Sequence, residues 1–92
     1  MTRVRAHVLI SGRVVGVYFR DSTRRQAEAL GLAGWVRNTA DDQVEAAFEG
    51  EEAEVRKIVA WCHRGPSRAQ VEDVTVEWQP ETGEFSGFEI RF

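Results

Sequence analysis

Two stretches of helical period, 21–30 and 51–64, are each bracketed by runs in which apolar and polar residues alternate, and that order leaves few folds open to the chain. From Arg3 to Ile10, Val4, Ala6, Val8 and Ile10 fall on one face and Arg3, Arg5 and His7 on the other, the pattern of a half-buried strand. Asp21 to Leu30 reads as a helix. Phe19, Thr23, Ala27 and Leu30 share one side of it, Asp21 sits where the dipole favours a carboxylate, and Gly31 is a natural stop. Ala33 to Asn38 is a short strand and Thr39 to Gln43 a turn. Val44, Ala46 and Phe48 then alternate with Glu45, Ala47 and Glu49, so the two strands form a hairpin that Gly50 ends. Glu51 to Arg64 is a second helix, acidic at its start and basic at its end, with Val55, Ile58, Val59 and Cys62 as its apolar stripe and Gly65-Pro66 as its terminator. Val74, Val76 and Trp78 alternate in a strand from Ala69 to Gln79, and Val71, out of phase with them, calls for a bulge near Glu72-Asp73. After a loop from Pro80 to Gly87, Phe88, Ile90 and Phe92 make a last short strand. The order is β-α-β-β-α-β with an extra terminal strand. This predicts an α+β, ferredoxin-like sandwich: an antiparallel sheet with both helices on one face.

The connection between the first strand and the first helix has an unusual composition. Ser11-Gly12-Arg13-Val14-Val15-Gly16-Val17-Tyr18-Phe19-Arg20 carries two glycines and two arginines among apolar residues. A solvent loop would be polar; here the apolar side chains pack the loop down. Glycine permits positive φ and close approach of a ligand. Successive N–H groups in such a turn can converge on an anion, and the helix that follows adds free donors and a partial positive charge. Arg20, at the helix start, offers a planar fork for phosphate oxygens. Arg13 points to the rim. A lone G-x-x-x-G is ordinarily no more than a connection with an exposed arginine, so its position between strand and helix is what marks this loop as an anion site.

Composition narrows the rest. A chain of 92 residues, 42% of them hydrophobic, suffices for one domain over 1–92 with a single core layer. No apolar run approaches the ~20 residues of a membrane span, and the first residues lead straight into strand alternation without a secretory segment. A cytoplasmic monomer with no membrane partner is expected. The single cysteine, Cys62, makes no internal disulfide, and no CxxC or zinc-type Cys/His spacing occurs, so neither metal nor cofactor is expected. The net charge of −3 argues against nucleic acid.

Asn38, at the end of Gly34-Trp35-Val36-Arg37-Asn38, reads first as a turn residue whose side chain bonds its own backbone. Two stretches together say more. Gly12 to Arg20 resembles the acylphosphatase signature G-x-V-Q-G-V-x-F-R, and Gly34 to Asn38, with Val44 and Gly50 at matching distances, resembles the family's second signature. The resemblance spans the chain. It implies a metal-independent hydrolase of acyl phosphates, with acyl phosphate and phosphate ion as its small-molecule partners. It further implies that Arg20 binds the phosphoryl group, that Asn38 orients the attacking water, and that the N–H groups of Val15, Gly16, Val17, Tyr18, Phe19 and Arg20 form the cradle. Two positions depart from the pattern. Val15 stands for the signature glutamine, which removes a side-chain amide but leaves the backbone donor. Asp42 stands for a glycine, where aspartate can still adopt left-handed φ, and its carboxylate is expected to weaken substrate binding. The competing classes are a non-catalytic anion-binding module on the same fold and a regulatory or carbamoyl-phosphate-handling relative. An RNA-binding version would display aromatics on the central strands, where the first strand offers Arg5, His7 and Leu9.

Overall fold

The computed structural model describes residues 2–92; Met1, the first residue of the expected domain, lies outside the described residues. Five strands and two helices follow one another as β1 (Arg3–Arg13), α1 (Phe19–Ala29), β2 (Ala33–Asn38), β3 (Val44–Glu51), α2 (Glu52–Cys62), β4 (Gln70–Pro80) and β5 (Phe88–Arg91). The strands lie side by side in the order β4-β1-β3-β2-β5. This is the ferredoxin-like order with one strand added. The first four strands pair antiparallel as expected, whereas β5 pairs parallel with β2, so the sheet is mixed. Local periodicity finds a strand but not its direction, which here follows from the 81–87 connection carrying the chain from one sheet edge to the other.

Burial follows the alternation. Ala6, Val8 and Ile10 of β1, Val44, Ala46 and Phe48 of β3, and Val36 of β2 are fully buried. They meet Phe19 and Ala27 of α1 and Val55, Ile58 and Cys62 of α2 in one core. The helices divide the sheet between them: α2 lies against β1 and β3, α1 against β2 and β5. Burial pushes the Cys62 thiol up to about 12.

The helix α2 ends at Cys62, before the expected His63 and Arg64, and two boundaries beside the loop differ from expectation for one reason. β1 continues through Ser11-Gly12-Arg13, read from sequence as the start of the turn, because β4 supplies partners that far: Gly12 faces Val71 and Arg13 faces Gln70. The register slips between Ser11 and Gly12 and passes over Glu72, which is the bulge that the phase of Val71 calls for. A Cβ at residue 12, where φ is +122°, would stand 2.2 Å from the Gln70 carbonyl oxygen, so only glycine lets β4 close in. With β1 longer, the loop shortens to residues 14–18 and α1 begins two residues earlier than expected.

The open face of the sheet is held by charge. His7 Nε2 lies 2.6 Å from Glu45 Oε2, and Arg37 also pairs with Glu45. Trp35, 8% exposed, has the guanidinium groups of Arg91 and Arg37 over its ring at 4.9 and 5.7 Å. Glu49 is 2% exposed because the 81–87 connection folds over it. Thr82 Oγ1 donates to its Oε2 at 2.7 Å, the Thr82 and Gly83 amides to its Oε1, and Arg5 Nη1 to its Oε2 at 3.0 Å. Burial alone would raise this carboxyl; the hydrogen bonds from Thr82, Arg5 and Gly83 more than reverse that and hold it below its ordinary value.

Gly12→Ala is expected to cost about 3 kcal/mol, from overpacking against strand backbone and from the strained φ; a thermal midpoint lowered by less than about 4 °C would contradict it. Glu49→Gln is expected to cost about 1–3 kcal/mol at pH 7. Because the folded carboxyl is lowered, its contribution is present above the unfolded value of 4.5 and fades as pH falls below it. The gap between the urea midpoints of the two proteins should therefore narrow from pH 7 to pH 3, and a constant gap would contradict the assignment.

Candidate active site

A short connection, Leu30 to Leu32, reverses the chain between α1 and β2, so the helix runs back over its own strand. An 11-residue helix at 1.5 Å per residue and a 6-residue strand at 3.3 Å have nearly equal lengths. The start of α1 therefore lies above the end of β2, and residues 19–20 come to residue 38. Val14, 1% exposed, Val17 and Phe19 anchor the loop in the core. Phe19 also packs against Trp61 of α2, ring centroids 5.5 Å apart.

Between those anchors the backbone twists. Gly16 has φ +77° and Tyr18 φ +63°, two left-handed residues separated by one. Such a path turns successive N–H groups inward. Among the described residues, none of the amides from Val15 to Arg20 finds an acceptor; the first bond of α1 is the Ser22 amide to the Tyr18 carbonyl at 3.0 Å. A run of unpaired donors at a helix N-terminus is suited to an anion. Tyr18 adopts this conformation without glycine, at a strain of about 1–3 kcal/mol typical of functional sites, and its ring stands 74% exposed beside the loop.

Gly16, Tyr18, Phe19, Arg20 and Asn38 all line one cleft of about 400 Å³, with Val14, Asp21, Ile90 and Phe92 completing its wall. Arg20 has no acidic partner among the described residues. Its Nη1 donates to the Arg91 carbonyl at 3.5 Å and its guanidinium lies 4.8 Å from the Phe92 ring centre. Among the described residues Asp21 is the one carboxylate in the wall, and Arg24 and Arg25 neutralise it at 3.1 and 3.0 Å. Asn38 is not the turn residue that local reading favours. Thr39 takes that part, its Oγ1 accepting from the Asp41 and Gln43 amides, and the Asn38 carboxamide bonds nothing among the described residues. Asp42 does adopt left-handed φ, +59°, and it does not line the cleft. Val15 and Val17 do not line this cleft; they line a second one, with Val17 packed in the core and Val15 against it.

The parts of the wall that sequence reading missed include Ile90 and Phe92, with the Arg91 carbonyl between them accepting from Arg20. The parallel pairing sets Arg37 opposite Arg91, which puts Phe92 level with Asn38. No local pattern could reveal this.

The acylphosphatase family model matches residues 6–90. The chain belongs to the acylphosphatase family. It is 59% identical over 92 residues to an acylphosphatase of Pelotomaculum thermopropionicum, covering 100% of both chains. Among solved structures, it superposes on the acylphosphatase from Bacillus subtilis with a TM-score of 0.93 at 30% identity, covering 97% of this chain and 99% of that one. It superposes on an acylphosphatase from Coxiella burnetii with a TM-score of 0.90 at 37% identity, covering 97% and 93%. Its activity is hydrolysis of acyl phosphates to carboxylate and inorganic phosphate. The family match bears out the resemblance carried by the two signatures, and the non-catalytic alternative is not favoured.

Gly16→Ala isolates the loop from the core, since an added Cβ meets nothing within 4 Å. It is expected to cost about 1–2 kcal/mol for the left-handed φ and to raise KM for an acyl phosphate roughly tenfold, the worth of one charge-assisted hydrogen bond. An unchanged KM would argue that no ligand reaches the amides here.

Proposed function

We propose that Arg20 and the N–H groups of Val15, Gly16, Val17, Tyr18, Phe19 and Arg20 hold the phosphoryl group of an acyl phosphate while the Asn38 carboxamide holds the water that attacks it. The observation that carries this reading is the coincidence, on one cleft, of Gly16, Tyr18, Phe19 and Arg20 from a run of amides that find no acceptor, an arginine without an acidic partner and a carboxamide without a bond, all among the described residues.

The chemistry suits so few parts. The water oxygen bonds to phosphorus as the bond from phosphorus to the acyl oxygen breaks, and that electron pair leaves on the carboxylate. With an ordinary carboxylate pKa of about 4, it departs unprotonated. The proton lost by water passes to a phosphoryl oxygen of the substrate itself, so a dianionic ester and water yield a carboxylate and dihydrogen phosphate. Phosphoryl transfer of this kind depends on positioning and on neutralising the equatorial oxygens, which the guanidinium and amides supply. Asn38 contributes alignment of the nucleophile. The same reading takes residues 1–92 as one domain acting as a cytoplasmic monomer, without metal or nucleic acid. Supporting it, every group invoked comes from this chain, and the open face of β1 and β3 carries Arg5, His7, Leu9, Glu45, Ala47 and Glu49 rather than aromatic rings.

The test is hydrolysis of benzoyl phosphate with a chelator present. Arg20→Ala is expected to lower kcat/KM by roughly 10²–10³-fold or more, and Asn38→Ala to lower kcat by about 10²-fold with KM nearly unchanged. His7→Gln and His63→Gln should keep kcat and its pH profile. Activity retained in Arg20→Ala rejects the cradle, and a limb lost in either histidine variant rejects the substrate as proton acceptor.

A further inference from the structure

A second cleft, of about 630 Å³, lies against the loop and meets the first at Gly16. Its wall includes Arg13 from the end of β1, Ser67 and Arg68 from the connection into β4 and Gln70 at the start of β4, with no carboxylate among the described residues. Arg13 and Arg68 are exposed and, among the described residues, without an acidic partner. Of the other arginines, Arg3, Arg5, Arg24, Arg25, Arg37, Arg56 and Arg91 lie within ion-pair distance of an Asp or Glu, while Arg20 in the first cleft and Arg64 at the end of α2 do not among the described residues.

In-line displacement puts the attacking water and the leaving oxygen on opposite sides of phosphorus. Asn38 lines the first cleft and not the second. The acyl group therefore leaves away from Asn38, and Gly16, which lines both clefts, has no side chain to block the way across. Val15, half-buried, and the edge of Val17 line this cleft and offer apolar contact for a short methylene chain, with Arg13 and Arg68 in the same wall. We propose that the second cleft is the acyl subsite and that Arg13 and Arg68 select acyl phosphates whose acyl group ends in a second anion, a carboxylate or a phosphate. This rests on the cradle and water assigned above and names the substrate class they serve. A distal anion gains two contacts to cations free of competing carboxylates, and the local positive field raises its capture rate over that of an uncharged analogue.

The experiment compares kcat/KM for succinyl phosphate and butyryl phosphate, which match in chain length and differ in a terminal carboxylate. For the unmodified protein at low salt the ratio is expected to favour succinyl phosphate by about five- to tenfold, the scale of two exposed ion pairs, and to shrink at high salt. In Arg13→Gln/Arg68→Gln it should fall to near one. The control Arg3→Gln/Arg56→Gln removes the same charge from exposed sites elsewhere and should keep the preference, with thermal midpoints reporting that both variants fold. 3-Phosphonopropionyl phosphate in the same assay separates a distal phosphate-like group from a carboxylate, and a preference for either supports the subsite. A ratio that the Arg13/Arg68 pair does not change, or that falls equally in the control, overturns it. Hydrolysis of neither ester by the unmodified protein would instead overturn the cradle, and the subsite with it.

Discussion

Six consecutive amides, Val15 to Arg20, that find no acceptor among the described residues are the constraint around which this molecule is built. A buried or folded N–H that finds no acceptor is costly, and a chain tolerates a run of them only where solvent or a ligand completes the set. The rest of the fold keeps those donors open. Val14, Val17 and Phe19 fix the loop from below, and the left-handed turns at residues 16 and 18 prevent the amides from collapsing into ordinary helix bonds. Starting α1 at Phe19 adds its own unpaired first-turn donors to the run.

The second feature of the cleft is Asn38, and topology puts it there. A helix folded back along its own strand brings the strand's last residue to the helix's first, whatever those residues are. Thr39 then decides what Asn38 can do. By taking the turn amides on its hydroxyl, it frees the neighbouring carboxamide. The hairpin and the site would otherwise compete for the same side chain.

Much of this was legible in the sequence, because the periodicities are clean. The hairpin strand Ala33–Asn38, the bulge implied by Val71 and the burial of the apolar stripe of α2 all follow from residue spacing. The two halves of the site could be recognised separately, the loop by glycines and arginines among apolar residues and Asn38 by its resemblance to a signature. What the spacing could not convey was anything set by pairing between distant elements. The extension of β1 to Arg13 depends on β4, and the wall formed by Ile90 and Phe92 depends on β5 running parallel to β2. The second cleft likewise joins Arg13 to Arg68 across 55 positions of chain that no window connects.

The sole cysteine bears on how the molecule can be handled. Cys62 is sealed in the core with its thiol held protonated to about pH 12. Thiolate is the reactive form, so oxidants and alkylating reagents have nothing to attack while the fold is closed. The sulfur becomes available only in molecules whose α2 has come off the sheet. Trapping by a thiol reagent thus counts openings of the native state directly, one event per molecule, without an introduced label.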